Sequence, residues 1–254
     1  MPRYALELSY DGASYSGWQL QSGGNCVQGA VETALGRLGE RTRISGAGRT
    51  DAGVHAKGQV AHFDAERDWE ARRLLLAVNA HLPPSISAMR AAKAGEGFHA
   101  RHDAIWREYR YFIWNSSTCH PHIRPYVFWL PGSHYDWARA GRAVSAIVGT
   151  HDFAAFCRMA DRPENTRRTV RSARLIARGD LAVFRIVANS YLTNMVRIAV
   201  GNLIAVASGK RDEPWLASLF EEGRDRRRSE RTVPASGLFL WKVTYPEDIF
   251  GREN

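Results

Sequence analysis

The chain has 254 residues, of which 44% are hydrophobic and 24% charged, a balance typical of a globular protein and unlike that of a disordered chain. Its 35 Lys and Arg residues against 26 Asp and Glu residues give a formal net charge of +9, which favours an anionic partner such as nucleic acid. The sequence has neither an apolar signal core at its start nor an apolar run near the roughly 18 residues of a membrane span, so we expect a soluble, unexported protein with no membrane partner.

The first half of the chain contains two strand patterns separated by a helix pattern. From Tyr4 to Tyr10 apolar and polar side chains alternate, which predicts a half-buried strand that ends at Asp11-Gly12. Apolar residues then recur at helical spacing between Val27 and Leu38, and Gln59 to Phe63 predicts a second strand.

Between that helix and the second strand lies Gly-Ala-Gly-Arg-Thr-Asp-Ala-Gly-Val-His-Ala, residues 46–56, which sets one carboxylate, Asp51, among small residues. The glycines permit positive φ angles or close approach of a ligand, and Arg49 would share a face with Asp51 in an extended segment. A neighbouring guanidinium keeps a carboxylate ionised. We therefore expect Asp51 to serve as a nucleophile, a base or an electrostatic partner.

Two other interpretations of this segment can be weighed against that one. A dinucleotide-binding loop needs Gly-x-Gly-x-x-Gly, and the position three residues after Gly48 is Asp51, so the spacing fails. A purely structural turn, in which Asp51 caps a helix and Arg49 is solvated, fits the segment when it is taken alone.

The second half repeats the strand and helix patterns. Strands are predicted at Glu108–Trp114, Leu181–Ala188 and Leu238–Tyr245, and helices between Trp137 and Val148, at Thr193–Ser208 and after Asp212, where Pro214 opens the helix. The order strand, helix, strand in each half predicts an α+β protein of two lobes with mainly antiparallel sheets flanked by helices.

A run of basic residues from Arg224 to Arg231 precedes the last strand. Because Asp225 and Glu230 are interspersed, the run favours a solvated loop, with RNA contact as the alternative. Arginine outnumbers lysine along the chain, and arginine binds phosphate bidentately and stacks on bases, which adds weight to a nucleic-acid partner.

The three cysteines, Cys26, Cys119 and Cys157, are scattered and odd in number, which argues against a disulfide framework and fits a cytoplasmic location. The segment Cys119-His120-Pro121-His122 crowds its candidate ligands more closely than the separated pairs of a zinc site. We therefore expect no metal.

Four blocks, in this order, carry a family resemblance: GAGRTDAGVHAKGQVAHF (46–63), VNAHLPPSI (78–86), FHARHDAIWREYRYFIWN (98–115) and NSYLTNMVRIAVGNL (189–203). The chain resembles the tRNA pseudouridine synthase A family from Tyr4 to about Pro246. The resemblance implies two ferredoxin-like lobes with an active-site cleft between them. Residues 1–102 would form the lobe that carries the aspartate loop, and residues 103–254 the lobe that carries a uracil-stacking tyrosine and an arginine partner.

The activity implied by the resemblance is isomerisation of uridine to pseudouridine in the anticodon stem-loop of tRNA, at positions 38, 39 and 40. The reaction needs no cofactor, and the family is homodimeric. Asp51 matches the family's catalytic aspartate. A single carboxylate could attack the anomeric carbon of the sugar, attack the uracil ring or remove a sugar proton, and the sequence does not choose among these routes.

Four other residues match family positions, and each also has a simpler interpretation. Arg197 matches the arginine that pairs with the aspartate but could be a solvated helix charge, and Tyr109 matches the uracil-stacking tyrosine but could be a strand aromatic that faces the core beside Tyr111. Arg49 would help to extrude the base, and Leu238 would pack under it, although any core strand contains leucines.

The chain departs from the family pattern at three positions. Thr193 and Asn194 stand where the family commonly has a pair of histidines before Met-Val-Arg, and His102 stands where it has phenylalanine. None of the three lies in the aspartate motif, so we expect activity to be retained and substrate contacts to differ.

Two rival functions belong to other classes. A catalytically silent RNA-binding protein would keep the basic surface, but intact Asp51, Arg197 and Tyr109 argue against it. A carboxylate-dependent nucleoside or glycoside hydrolase would use a second carboxylate, which the block around Asp51 lacks, and would release free base.

Overall fold

A computed structural model describes residues 1–21, 24–132, 134–221 and 225–251 of the chain. The chain divides into two compact units, which we call unit 1 (residues 1–106 and 240–254) and unit 2 (residues 107–239). The lobes expected from the sequence, 1–102 and 103–254, differ from these units in the placement of residues 103–106 and 240–254.

Unit 1 is built on an antiparallel sheet. Its elements are β1 (Arg3–Tyr10), α1 (Val27–Arg37), β2 (Ser45–Gly46), β3 (His55–Asp64), α2 (Ala71–Asn79), β4 (Ile86–Ala94) and most of β10 (Leu238–Thr244). The strand order is β4-β1-β3-β10. The short β2 pairs with His62 and Ala61 of β3, and β1 pairs with the same two residues from the other side of β3. The order β4-β1-β3-β2 is that of a ferredoxin-like fold whose second strand is only two residues long.

The alternation of β1 determines which face of this sheet is buried. Tyr4, Leu6 and Leu8 are fully buried, and their partners on β3 are Phe63, Ala61 and Gln59. Helices α1 and α2 contribute the other half of the core through the apolar residues Val27, Val31, Leu35, Leu74 and Val78.

Unit 2 likewise combines antiparallel strands with helices. Its elements are β5 (Trp106–Trp114), β6 (Phe128–Trp129), α3 (Trp137–Ala143), β7 (Gly149–Asp152), β8 (Arg167–Arg178), β9 (Leu181–Ala188), α4 (Met195–Ala207) and α5 (Glu213–Ser218). The strand order is β5-β9-β8-β7, all antiparallel, with β6 parallel to β5. The order β5-β9-β8 matches strands one, three and two of a ferredoxin-like lobe.

The α+β class and the mainly antiparallel sheets expected from the sequence are confirmed. The helix predicted between Trp137 and Val148 is α-helical only to Ala143 and continues as a 3-10 turn to Ile147. The sequence interpretation did not include α2, β4 and β8, nor the short strands β2, β6 and β7. In the described parts of the chain, none of the helices has the length and apolarity needed to cross a membrane.

Candidate active site

Asp51 lies in the connection between β2 and β3, in a turn that leads into a strand. The amide of Val54 donates to the carbonyl of Asp51 at 3.1 Å, and Gly53 has a φ of +75°. Since β3 begins at His55, Asp51 does not cap a helix, and that part of the structural interpretation is wrong, although the segment is a turn and Arg49 is exposed. The carboxylate is half-buried.

Backbone contacts hold the two sides of Asp51. The amide of Trp18 donates to the carbonyl of Thr50 at 3.0 Å, and the amide of Gly53 donates to the carbonyl of Tyr15 at 3.2 Å. Gly17 makes this approach possible, because its φ is +104° and a Cβ there would lie 2.4 Å from the carbonyl oxygen of Thr50. The position of the carboxylate is therefore set by the main chain on both sides.

A buried hydroxyl pair lies directly beneath the motif. The hydroxyl groups of Tyr10 and Thr50 are 2.9 Å apart, and both residues are buried. Burial raises the pKa of Tyr10 above its ordinary value, and hydrogen bonds to Thr50 and Gln59 oppose that rise only in part. The phenol stays neutral at physiological pH and acts as a hydrogen-bonding support for the loop.

Arg49, two residues before Asp51, is exposed. Its neighbour Gly48 is fixed, because Nε2 of the Gln59 side chain donates to the Gly48 carbonyl at 2.7 Å. The motif thus presents a guanidinium to solvent from a fixed backbone, which suits a contact with an extruded nucleotide or a phosphate.

Arg197 is the third residue of α4 and is half-buried. Its Nε donates to the carbonyl of Val233 at 2.8 Å, and its Nη1 donates to Oδ1 of Asn194 at 2.8 Å. A cation in the first turn of a helix is disfavoured by the helix dipole by roughly 0.3–1 kcal/mol, so the position is not explained by helix stability. The interpretation of Arg197 as a solvated helix charge is wrong, since its guanidinium is held by two acceptors.

Tyr109 lies on β5 and shares a sheet face with Tyr111, because the two are two residues apart on one strand, and they pair with Ile186 and Phe184 of β9. It is only 7% exposed, and its ring lies edge-on to Tyr191 with centroids 4.8 Å apart. Most of the ring is thus packed as the core interpretation expects, which restricts stacking on a base to the exposed part.

Tyr111 connects this strand to the arginine. Burial raises the pKa of Tyr111 above its ordinary value, and the charge of Arg197 opposes the rise. The Tyr111 hydroxyl donates to the carbonyl of Pro234 at 2.7 Å, next to the carbonyl that holds Arg197. Leu238, at the start of β10, is 6% exposed.

The basic run is more ordered than a solvated loop. Arg224 lies outside the described residues, and Arg226–Arg228 form a 3-10 turn capped by Asp225. Arg226 is directed inward and donates to the Ser229 carbonyl at 3.0 Å and to the Thr232 hydroxyl at 3.2 Å, whereas Arg227 and Arg228 are exposed.

The residues expected at the site fall into two groups. Arg49 and Asp51 lie in unit 1, and Tyr109, Arg197 and most of their neighbours lie in unit 2. The sequence interpretation named all of these but did not foresee the contact of Asn194 with Arg197, and it noted Asn194 only as a departure from the family.

Three imidazole rings lie in a row elsewhere in the chain. The ring centroid of His102 is 4.1 Å from that of His99, and the ring centroid of His99 is 4.6 Å from that of His62. Across the described residues, no three His, Cys, Asp or Glu side chains are grouped as a metal site would require.

Comparison with known proteins gives the family. Residues 8–103 and 143–246 match the family described as tRNA pseudouridine synthase, which defines the class of protein. The tRNA pseudouridine synthase A of Geobacillus kaustophilus is 39% identical over 243 residues, which cover 95% of this chain and 93% of that protein. Those of Methylobacterium nodulans and Cereibacter sphaeroides are 40% and 41% identical, covering 97% and 98% of this chain and 97% and 99% of their own.

The chain belongs to the tRNA pseudouridine synthase A family, a family of isomerases. A chain from a crystal structure titled as a Cbf5-Nop10-Gar1 complex is similar over 80% of this chain and 45% of its own, at 11% identity and a TM-score of 0.40, which is too low to bear on the fold.

Proposed function

We propose that this chain isomerises uridine to pseudouridine in the anticodon stem-loop of tRNA, at positions 38, 39 and 40, without a metal or other cofactor. One observation carries the proposal: the family's aspartate motif is present, and its carboxylate, Asp51, is half-buried on a turn that main-chain hydrogen bonds hold on both sides. A carboxylate positioned in this way can act on a bound nucleotide without the entropic cost of first ordering its loop.

The reaction exchanges one bond from the ribose for another. The bond between C1′ and N1 of uracil breaks, the base turns while bound, and a bond forms between C1′ and C5. The hydrogen on C5 leaves as a proton and N1 takes up a proton, so atoms and charge balance. Asp51 would act on the anomeric carbon, on the uracil ring or on a sugar proton, and these three routes remain alternatives.

The other site residues would hold the charge and the base. In the proposed site Arg197 pairs with Asp51 and keeps the carboxylate ionised, and its two fixed hydrogen bonds favour one orientation of the guanidinium. The exposed part of Tyr109 would contact the uracil, and Leu238 would pack under it. Arg49 would help to extrude the nucleotide, since a paired base cannot be reached in place.

The partners are part of the same proposal. The net charge of +9 supports binding of tRNA. A homodimer and a cytoplasmic location are proposed on the family resemblance and on three cysteines that are all free thiols.

The test is release of tritium from tRNA labelled at C5 of uracil, followed by mapping of the modified positions. Wild-type protein should release the label in the presence of a chelator, and the product should map to positions 38 to 40. The Asp51→Ala variant should release none while binding tRNA as wild type does, because phosphate does not need this carboxylate. Asp68→Ala is the matched control, since Asp68 is a surface carboxylate of unit 1 whose side chain is 67% exposed and pairs with Lys93.

The outcomes separate the alternatives. Release by Asp51→Ala at the wild-type rate would refute the assignment of the aspartate. Free uracil without exchange at C5 would indicate the hydrolase, and tRNA binding without any release would indicate the silent binding protein. Modification at another position, such as the TΨC arm, would keep the chemistry and overturn the substrate position.

A further inference from the structure

The residue before α4 has an unusual backbone. Asn194 has a φ of +63° and a ψ of 6°, and within residues 1–21, 24–132, 134–221 and 225–251 no other non-glycine residue has a positive φ. Most side chains pay about 1–2 kcal/mol in this left-handed region, which asparagine, aspartate and histidine enter more readily. A helix start does not require such a conformation, because residues at this position are usually extended.

The side chain of Asn194 also does not do what its position suggests. An asparagine just before a helix ordinarily accepts a hydrogen bond from a first-turn amide, which stabilises the helix by about 1 kcal/mol. Asn194 makes no such bond. Its Oδ1 instead accepts from Nη1 of Arg197 at 2.8 Å. Both the backbone and the side chain of this residue thus give up local stability to hold the guanidinium.

A second acceptor holds the guanidinium from another segment. Nε of Arg197 donates to the carbonyl of Val233 at 2.8 Å, 36 residues further along the chain. Two bonds to different nitrogen atoms of a planar group fix its plane, and with it the direction in which Nη2 points.

The segment that supplies this carbonyl is itself fixed. A Cβ on Gly201 would lie 2.2 Å from the carbonyl oxygen of Arg231, so this segment lies directly against the backbone of α4. On its other side, the hydroxyl of Tyr111 holds the carbonyl of Pro234 at 2.7 Å. Val233 therefore offers its carbonyl from a position that these contacts fix.

We propose that Asn194 is a positioning residue for the isomerisation, which acts by fixing the plane of the Arg197 guanidinium so that this cation meets the Asp51 carboxylate in the reacting complex. The inference rests on the proposed function and adds to it a residue that does not touch the substrate.

Two substitutions isolate the acceptor from the backbone. Asn194→Gly keeps the left-handed conformation without strain and removes Oδ1. Asn194→His also tolerates the conformation, and a neutral imidazole can accept a hydrogen bond where an imidazolium cannot. Asn165→Gly is the matched control, because Asn165 likewise accepts a local hydrogen bond, from the amide of Arg167 at 2.9 Å, outside the site.

We expect Asn194→Gly to lower kcat at least about tenfold, with KM for tRNA within about twofold, because the guanidinium loses the bond that fixes its plane. Tm should change little, since glycine relieves the left-handed strain and so offsets the stability lost with the hydrogen bond. Asn165→Gly should keep the wild-type kcat. Asn194→His should recover activity at pH 8 and lose it relative to wild type as the pH falls through about 6.5. The described elements also place Arg197, Tyr111 and Cys157 near residue 194. Burial raises the pKa of both Tyr111 and Cys157, so neither group would produce a loss of activity near pH 6.5.

A second readout does not depend on turnover. Arginine NMR of the Nη protons should show slow rotation of the Arg197 guanidinium in the wild-type protein and faster rotation in Asn194→Gly. Wild-type kcat in Asn194→Gly, equal rotation in the two proteins, or a histidine variant with no pH-dependent recovery would overturn the positioning role. An inactive wild-type protein would overturn the proposed function, and the rotation measurement would still decide whether Asn194 holds the guanidinium.

Discussion

Tyr109 packs in unit 2, and it is also the residue that we propose to contact the base. The residue is only 7% exposed, and its ring lies edge-on to Tyr191. A phenylalanine would therefore retain the aromatic contact, whereas a leucine would not. If the ring contacts uracil, Tyr109→Phe should keep activity within a few-fold, whereas Tyr109→Leu should lose about 1–3 kcal/mol of substrate interaction.

The measurement is kcat/KM of both variants, with Tm measured in parallel. A fall in Tm is expected for Tyr109→Leu, because the substitution leaves a gap in the core. Equal kcat/KM in the two variants would show that base stacking is not what Tyr109 supplies.

His62 gives a pH-dependent contribution to stability. Burial lowers its pKa to about 4, and the charges of His99 and Arg3 act in the same direction. The folded state therefore binds fewer protons than the unfolded state between pH 4 and about 6.5, so the contribution is fully present above about pH 6.5 and is lost as the pH falls toward 4. The loss is at most about 3 kcal/mol.

Urea unfolding from pH 7.5 to 4.5 measures this contribution. His62→Gln should show a shallower fall in the free energy of unfolding than wild type over this range, because its amide does not titrate. His122→Ala, which removes an exposed imidazole, should follow the wild-type curve. Parallel curves for wild type and His62→Gln would contradict the prediction.

The sequence indicated the identity of the site residues but not the contacts that place them. Asp51 could be singled out because glycines and an arginine surround it within a few residues. The contacts that hold it come from Tyr15 and Trp18, more than thirty residues away along the chain. Asn194 has a local signal, since its bond partner is three residues on, but the Val233 carbonyl that completes the arrangement cannot be read from a sequence pattern.

Among the secondary-structure elements, the contact of α4 with the segment before β10 links the fold to the site. A Cβ on Gly201 would lie 2.2 Å from the carbonyl oxygen of Arg231, far inside van der Waals contact. Gly201→Ala should therefore lower Tm, although alanine is favoured over glycine in a helix by about 1 kcal/mol. It should also lower kcat, because the displaced segment carries the Val233 carbonyl that holds Arg197.

Gly36→Ala provides the matched control. Gly36 lies in α1, and a Cβ there would meet no atom within 4 Å, so the same substitution should leave kcat unchanged and keep or raise Tm. Thermal unfolding and single-turnover rates of both variants test the pair. A Gly201→Ala protein as stable and active as wild type would show that the segment is not held against the helix.

Two elements were predicted almost to the residue, whereas others, among them the amphipathic helix α2, were not predicted. The strand predicted at Leu181–Ala188 has those bounds, and α5 begins beside Asp212, whose side chain accepts from the Trp215 amide at 2.8 Å. By contrast, β8 carries five arginines in Arg167–Arg178, and only Val170 within it is buried. A strand with so little burial lacks the apolar alternation on which the prediction depends.

The net charge of +9 is a property of the entire chain, and it would attract a tRNA partner at long range. Each phosphate that is neutralised releases counterions, so the logarithm of affinity should fall linearly with the logarithm of salt concentration, with a slope of about −0.9 per phosphate on duplex and about −0.7 on single strands. Fluorescence binding of tRNA at several salt concentrations measures the slope. Affinity independent of salt would contradict the charge argument.

The basic run before β10 can be tested by the same slope. Arg226 is directed inward to Ser229 and Thr232, and Nε of Arg227 lies 3.3 Å from the Asp225 carboxylate. Arg227 and Arg228 are exposed, but the interspersed acids Asp225 and Glu230 offset the charge of the run, which favours a solvated surface over a phosphate contact. We expect the double substitution Arg227→Ala and Arg228→Ala to leave the slope unchanged, and Asp51→Ala to leave it unchanged as well. A slope shallower by about 1.4 to 1.8 in the double variant would mean that both arginines contact phosphate, and the run would then belong to the tRNA-binding surface.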